Sequence, residues 1–404
     1  MSEIIPKVKK NGVLRTFGVR FFSWLEGERG VYYMAMKKML ADRMKCIDSS
    51  GIRKVFALAA QMKDPINFSI GQPDFDTPEM IKQQAIQAIE AGANKYSQTA
   101  GDDALLAKIT GGLKAEFGWD KPKLLVTSGV SGGILLSFLA LINPGDEVII
   151  PDPYFVMYKH LVNMLGGKCV FVDCYPDFVL DPGKVKSAIT SKTKMIIINS
   201  PCNPTGAVFG SAELKDIANI AAKNSIIVLS DEIYDKFSYD GPCDTIVKYC
   251  DSAILLRGFS KTYGVTGWRL GYAAAGGQAQ EVIDQMIKIQ QYTFVCAPTP
   301  FQKAVTGALD YDTTAYVNAY RKKRDLVYEG LKDKFEFVKP GGAFYAFVKA
   351  PDGNGAKFAE KAIANNVLVI PGNVFSEKDT HFRISYATSD DKIRKGIEIL
   401  RKMA

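Results

Sequence analysis

Seven short apolar runs constrain what this chain can fold into more than any other feature. They lie at Leu124–Thr127, Glu147–Ile150, Cys169–Asp173, Met195–Asn199, Ile226–Ser230, Ala253–Leu256 and Leu270–Ala274. None alternates polar with apolar residues, which is how strands buried on both faces read. Most are separated by helical patterns, and one of these, Ile134–Ile142, is apolar nearly all round. Strands alternating with helices predict an α/β fold with a large domain, a seven-stranded mainly parallel sheet covered by helices. Functional residues are then expected at the carboxyl ends of strands.

The flanking segments have a different texture. Apolar residues from Tyr32 to Met44 follow a helical period, and Ser50 stands where it would cap a second helix. A strand is expected at Ile66–Ile70, and a helix from near Pro78 with Ile81, Ala85 and Ile89 on one face. After about residue 300, helices are expected at Phe301–Leu309 and Tyr316–Leu331. The run Phe335–Val348 reads as two strands around a Gly-Gly turn. A helix near Lys357–Asn365, a strand at Phe382–Tyr386 and a helix from Asp390 complete a smaller α+β domain.

Composition narrows the function classes. The 404 residues are 47% hydrophobic and 23% charged, as in an ordinary soluble protein. Seven cysteines, with no C-x-x-C pair, argue against a disulfide scaffold or a zinc site and for reduced thiols in a cytoplasm. With only two histidines, His160 and His381, neither in a suggestive setting, a Ser-His-Asp hydrolase or a His-based metal site is disfavoured. The net charge of +8 is concentrated in residues 1–45, which hold ten Lys/Arg against four Asp/Glu. That basic, aromatic-rich start lacks the continuous apolar run of a secretory signal or membrane span. An extra arm packed on its own subunit or on a partner's is the preferred reading.

Five loops at strand ends carry the chemistry. T-S-G-V-S-G-G opens a helix, so the amides of Gly129, Val130 and Ser131 form a ready anion site. P-D-P-Y-F-V-M-Y places Tyr154, Phe155 and Tyr158 where an aromatic can stack on a flat ring. N-S-P-C-N-P-T-G sets Asn199 and Asn203 in a rigid turn. V-L-S-D-E-I-Y ends an apolar strand in Asp231, a costly carboxylate unless it meets a cation, with Tyr234 in reach of the same place. The stretch Arg257–Gly271 places Lys261 after Ser260 and eight positions before Arg269. A lysine whose pKa is lowered by burial and nearby cations becomes a nucleophile toward carbonyl compounds. Ser260 and Arg269 are residue types that hold a phosphate beside it.

The ordered set G-Q-P-D-F-D-T-P, K-Y-S-x-x-x-G, P-x-N-P-T-G, S-D-E-I-Y, F-S-K-x(7)-R-L-G and F-R-I-S-Y-A resembles the fold-type I pyridoxal-phosphate aminotransferases of class I/II. The resemblance runs from about residue 50 to the C-terminus. It implies that Lys261 binds pyridoxal 5'-phosphate as a Schiff base and later shuttles the substrate's Cα proton. Asp231 would pair with the pyridine nitrogen, Asn203 and Tyr234 would meet the phenolic oxygen, and Phe155 would stack on the ring. Gly129, Val130, Ser131, Ser260 and Arg269 would hold the phosphate, with Tyr96 reaching the phosphate of the neighbouring subunit of a homodimer. Arg383 would bind the substrate α-carboxylate, and Gly71 would approach the substrate through its backbone.

The resemblance also implies three segments: a basic extension at 1–45, a small domain from 46–72 and 306–404, and a large cofactor-binding domain at 73–305. Several positions depart from the family pattern. Gly258 stands where a serine or threonine is common, Gln72 replaces a glutamate, and the loop after P-G-N-V-F lacks a glycine. The expected activity is transfer of an amino group from an L-amino acid (aspartate, alanine or aromatic) to a 2-oxoacid such as 2-oxoglutarate. The alternatives are a lyase or synthase on the same fold and, more remotely, a non-enzymatic cofactor-sensing regulator. Neither nucleic acid nor a membrane span is expected among its partners.

Overall fold

The computed structural model describes residues 39–48, 51, 52, 55 and 60–404. Residues 48–404 pack as one compact unit. Of the helix expected over Tyr32–Met44, most lies outside the described residues; a 3-10 turn, Asp42–Lys45, covers its end. Ser50 also lies outside them, while Gly51, Ile52 and Val55 are helical.

The compact unit begins with β1 (Ile66–Asn67), α1 (Glu79–Glu90) and α2 (Asp103–Phe117). Next come β2 (Lys123–Ser128), α3 (Gly129–Leu141), β3 (Glu147–Asp152), α4 (Met157–Met164), β4 (Lys168–Asp173) and α5 (Pro182–Ser187). The sheet continues through β5 (Thr193–Asn199), α6 (Ser211–Lys223), β6 (Ile227–Asp231), β7 (Ala253–Gly258) and β8 (Leu270–Ala275). All seven expected strands are present, in the spatial order β2-β8-β7-β6-β5-β3-β4. Only β8 runs against its neighbours.

The absence of polar alternation has a direct cause. Ile196 and Ile198 of β5 enter one core, with Val126, Ile149 and Val228, while Met195 and Ile197 enter another, with Leu125, Ile150 and Leu229. Each face of the sheet is covered, so both phases of the two-residue period must be apolar. The helix α3 lies within the second core and packs on β8, which explains its uniform hydrophobicity.

The chain then forms α7 (Gln280–Thr293), α8 (Thr299–Ala308), α9 (Thr314–Leu331), β9 (Tyr345–Lys349), α10 (Gly355–Ala364), β10 (Val367–Leu368), β11 (Ile370–Pro371), β12 (His381–Ser385) and α11 (Asp390–Arg401). The strands β11-β12-β9 make an antiparallel sheet, and β1 pairs in parallel with β10. Phe68, Phe237, Tyr320, Phe344, Phe358, Phe382 and Tyr386 fill a third core between these elements.

Three local expectations are corrected. Phe335–Val348 forms one strand, because β9 takes β12 as its ladder partner and Gly341 and Gly342 donate to the Gly206 carbonyl. The strand from Ile66 stops at Asn67, whose side chain accepts the Ser69 amide at 3.0 Å. On α1, Ala88 is buried and Ile89 is 45% exposed. At 100° per residue, position 88 returns to the face of Ile81 and position 89 passes it.

Candidate active site

A cleft of about 600 Å³ opens where β2, β3, β5, β6 and β7 end and β8 begins. Gly71, Val130, Ser131, Phe155, Asn203, Asp231, Tyr234, Ser260, Lys261, Arg269 and Arg383 line it. Eleven of the thirteen residues singled out from sequence thus meet in one place. Gly129 adjoins it beneath Arg269, and Tyr96 does not enter it, being 82% exposed.

The anion cradle follows from local backbone geometry. Ser128 makes no side-chain cap on α3, so the first amides of the helix stay open. Gly129 has φ +68°, and a Cβ there would stand 2.6 Å from Arg269 Nη2. Arg269 itself adopts a left-handed conformation with φ 55°, ending a 3-10 turn and bringing its guanidinium over Gly129. Such a conformation costs a non-glycine residue about 1–3 kcal/mol and persists where the surroundings hold it.

Gly258 is not a gap in this cradle. A Cβ there would meet Ile233 Cδ1 at 2.7 Å and Val130 Cγ2 at 2.9 Å, so neighbours already fill the space. Across the ladder, Gly271 faces the α3 backbone, with Val130 N 2.7 Å from its Cβ position.

Lys261 is half-buried as a residue, with its amine turned inward to donate to the Gly71 carbonyl at 2.5 Å. Burial, then the charges of Arg269 and Arg383, lower its pKa to about 8, against the opposing pull of Asp231. At neutral pH this raises the neutral, nucleophilic fraction by about two orders of magnitude over an ordinary lysine. Asp231 ends β6 with its carboxylate buried. Burial raises its pKa to about 6, and the Tyr158 hydroxyl, donating at 2.6 Å, holds it from rising further. It remains largely ionised at pH 7.

Arg383 is buried on β12. It donates to Asn203 Oδ1 and to the Ser69 carbonyl, both at 2.8 Å, and its Nε has no partner among the described residues. Three of its five N–H groups remain for a ligand. The rings of Tyr345 and Phe375 lie on it at 4.5 and 4.6 Å. Asn199 ties the P-C-N-P turn to the end of β6, donating to the Asp231 carbonyl and accepting from the Asn203 amide.

Sequence reasoning missed several participants. Tyr158 stood among three aromatics, but nothing in its spacing marked it as the partner of Asp231. Tyr345 sits in a run that reads simply as strand, and Ser69 contributes only a carbonyl. Each enters the site through long-range packing.

A nucleophilic amine, a carboxylate set for a cation and a phosphate-type cradle, gathered at the carboxyl edge of a doubly covered sheet, define a lysine-centred enzyme site. Residues 63–400 match the family Aminotransferase class I and II, and the chain belongs to that family. It is 42% identical over 375 residues to the probable aspartate aminotransferase of Methanocaldococcus jannaschii, covering 90% of this chain and 100% of that protein. It is 35% identical to aromatic-amino-acid aminotransferase 2 of Thermococcus litoralis, covering 90% and 98%. Among solved structures, the Thermus thermophilus aspartate aminotransferase with maleate superposes with a TM-score of 0.85 at 34% identity, covering 90% and 99%. The chain is therefore an aminotransferase, of a family that depends on pyridoxal phosphate. The residues present fit that cofactor: a buried amine, a buried carboxylate, an uncapped helix end and an orphaned guanidinium nitrogen share one cleft.

Proposed function

We propose that this chain moves the amino group of an L-amino acid to a 2-oxoacid, with aspartate as preferred donor and 2-oxoglutarate as acceptor. The buried Lys261 amine, its pKa lowered to about 8 and facing Asp231 and Arg383 across one cleft, carries the reading. The names of relatives support aspartate first and aromatic donors next.

Pyridoxal phosphate supplies the electron sink that lets nitrogen leave one carbon skeleton and join another. The chain orients the parts. Arg269, Ser260 and the Gly129–Ser131 amides would hold the phosphate, while Asp231 would keep a negative charge against the ring nitrogen. Phe155 would cover the ring face, and Asn203 and Tyr234 would meet its phenolic oxygen. Arg383 takes the substrate α-carboxylate as a fork and so sets Cα beside Lys261. The Lys261 nitrogen removes the Cα proton and returns it nearby, as a base whose pKa lies close to working pH. The Gly71 backbone borders the substrate.

The working unit is a homodimer in which Tyr96 completes the phosphate site of the neighbouring subunit; its 82% exposure supports that role. Residues 46–72 and 306–404 act as a small domain against a large one at 73–305, preceded by the basic extension 1–45. A cytoplasmic location agrees with seven free cysteines. Among the described residues no helix is long and apolar enough to cross a membrane.

The test is the purified protein with added pyridoxal phosphate and a panel of amino donors. A visible absorbance band lost in Lys261→Ala, with ketoacid formed from donor, is the expected result. Ammonia or pyruvate release without ketoacid exchange would favour a lyase and reject this reading.

A further inference from the structure

Two phenols in the cleft share a hydrogen bond whose direction has a chemical consequence. Tyr234 and Tyr345 are both buried, with their hydroxyl oxygens 2.8 Å apart and their rings perpendicular. Burial pushes both phenols above their ordinary value, so both keep their protons at neutral pH. A phenol has one proton to donate and two lone pairs to accept with. Two protons and one shared bond leave one O–H without a protein acceptor among the described residues. Both residues line the cleft, so that proton has the cleft to donate into.

Arg383 decides which phenol donates. Its guanidinium carbon lies 4.5 Å from the centre of the Tyr345 ring. That positive charge favours ionisation of both phenols, but it is the leading charge on Tyr345 and a lesser one on Tyr234, which makes Tyr345 the more acidic of the two and the better donor. The Tyr345 oxygen is also closed in on another side, since a Cβ at Gly71 would stand 2.8 Å from it. Tyr345 donates, Tyr234 accepts, and the Tyr234 proton turns outward.

We propose that Tyr345 is a positioning residue of the amino-transfer site: its hydroxyl commits the Tyr234 O–H to an anionic ring oxygen of the bound cofactor and strengthens that bond. The strengthening arises because a hydroxyl that accepts one hydrogen bond donates another more strongly. This inference rests on the cofactor site described above. No polar signal in the surrounding G-G-A-F-Y-A-F-V run marks the residue.

The experiment uses the holoenzyme and the isosteric Tyr345→Phe, which keeps the ring over Arg383 and removes only the hydroxyl. The readout is the pH midpoint of the visible absorbance of the bound cofactor. Losing the bond that Tyr234 accepts weakens its own donation to the anionic oxygen, so the midpoint rises by a few tenths of a unit (~0.1–0.7), the cooperative share of one hydrogen bond to a charged group. In a Tyr234→Phe background, Tyr345→Phe produces no further rise. A midpoint unmoved by Tyr345→Phe overturns the proposal. So does an equal shift in both backgrounds, because Tyr345 would then act without Tyr234. A wild-type protein with no Lys261-dependent band fails the cofactor reading itself, which keeps the two failures distinct.

Discussion

Asp231 illustrates what a functional side chain costs the protein that holds it. Its folded pKa of about 6 lies above the ordinary value of 3.8, so between these values the folded state binds more protons than the unfolded one. Stability from this group is present at low pH and is lost as pH rises through about 6. Asp231→Asn removes the buried charge and keeps a group able to bond Tyr158. The apoprotein should gain up to about 3 kcal/mol at pH 7 and only about 0.5 kcal/mol near pH 4. Chemical denaturation of both apoproteins at the two pH values checks this, and an equal gain at both would refute it. The same variant should bind pyridoxal phosphate more weakly, a stability–activity trade-off.

The strands β6 and β7 are tied together behind the site by an ion network that is buried at Arg257 and Glu232 and reaches the surface at Glu116. Arg257 donates to Glu232 at 2.9 and 3.1 Å and, bidentately, to Glu116 at 2.6 and 2.8 Å. Glu232 also accepts from Ser230 at 2.8 Å and from Thr245. Glu232 follows Asp231 directly, and Arg257 precedes Gly258 and the lysine loop. Such a network needs every partner: removing one leaves a buried charge uncompensated. Arg257→Met should destabilise the protein by about 3–5 kcal/mol, and Glu232→Gln in the same chain should restore part of that loss. Urea unfolding of the single and double variants measures the coupling; strictly additive losses would show that the pair does not interact.

The assembly proposed for the molecule follows from what one subunit leaves outside. Met80, Ile86 and Ile89 are exposed apolar residues on α1, and Tyr292, at the end of α7, is 86% exposed. Tyr96 does not line the cleft of its own chain, yet it sits in the K-Y-S motif that resembles the family's. In a homodimer with shared sites, a subunit carrying Lys261→Ala and one carrying Tyr96→Ala should complement each other. Each mixed dimer then holds one intact site and one with both defects. Refolding the two inactive proteins together should restore activity that neither shows alone; no recovery, with mixed dimers present by mass, would refute shared sites.

Strand positions were legible because burial on both faces leaves short apolar runs of strand length, bounded by turn residues and separated by helical patterns. Lys261, Asp231, Asn203 and Arg383 were legible because costly groups stand at fixed offsets beside glycines and prolines at strand ends. Periodicity also anticipated α3, whose uniform hydrophobicity reflects a helix enclosed by others. Tyr158, Tyr345 and the Arg257–Glu232 pair were not legible in these roles, because their partners are 73, 111 and 25 residues away. Gly258 stands where the family commonly has a serine or threonine, yet its place is occupied by Ile233 and Val130, a packing fact with no local trace. Local sequence thus settled the seven strands of the large sheet and pointed to residues able to do chemistry. The folded chain alone determined who faces whom, since hydrogen bonds and charges act across space and a linear spacing does not encode those distances.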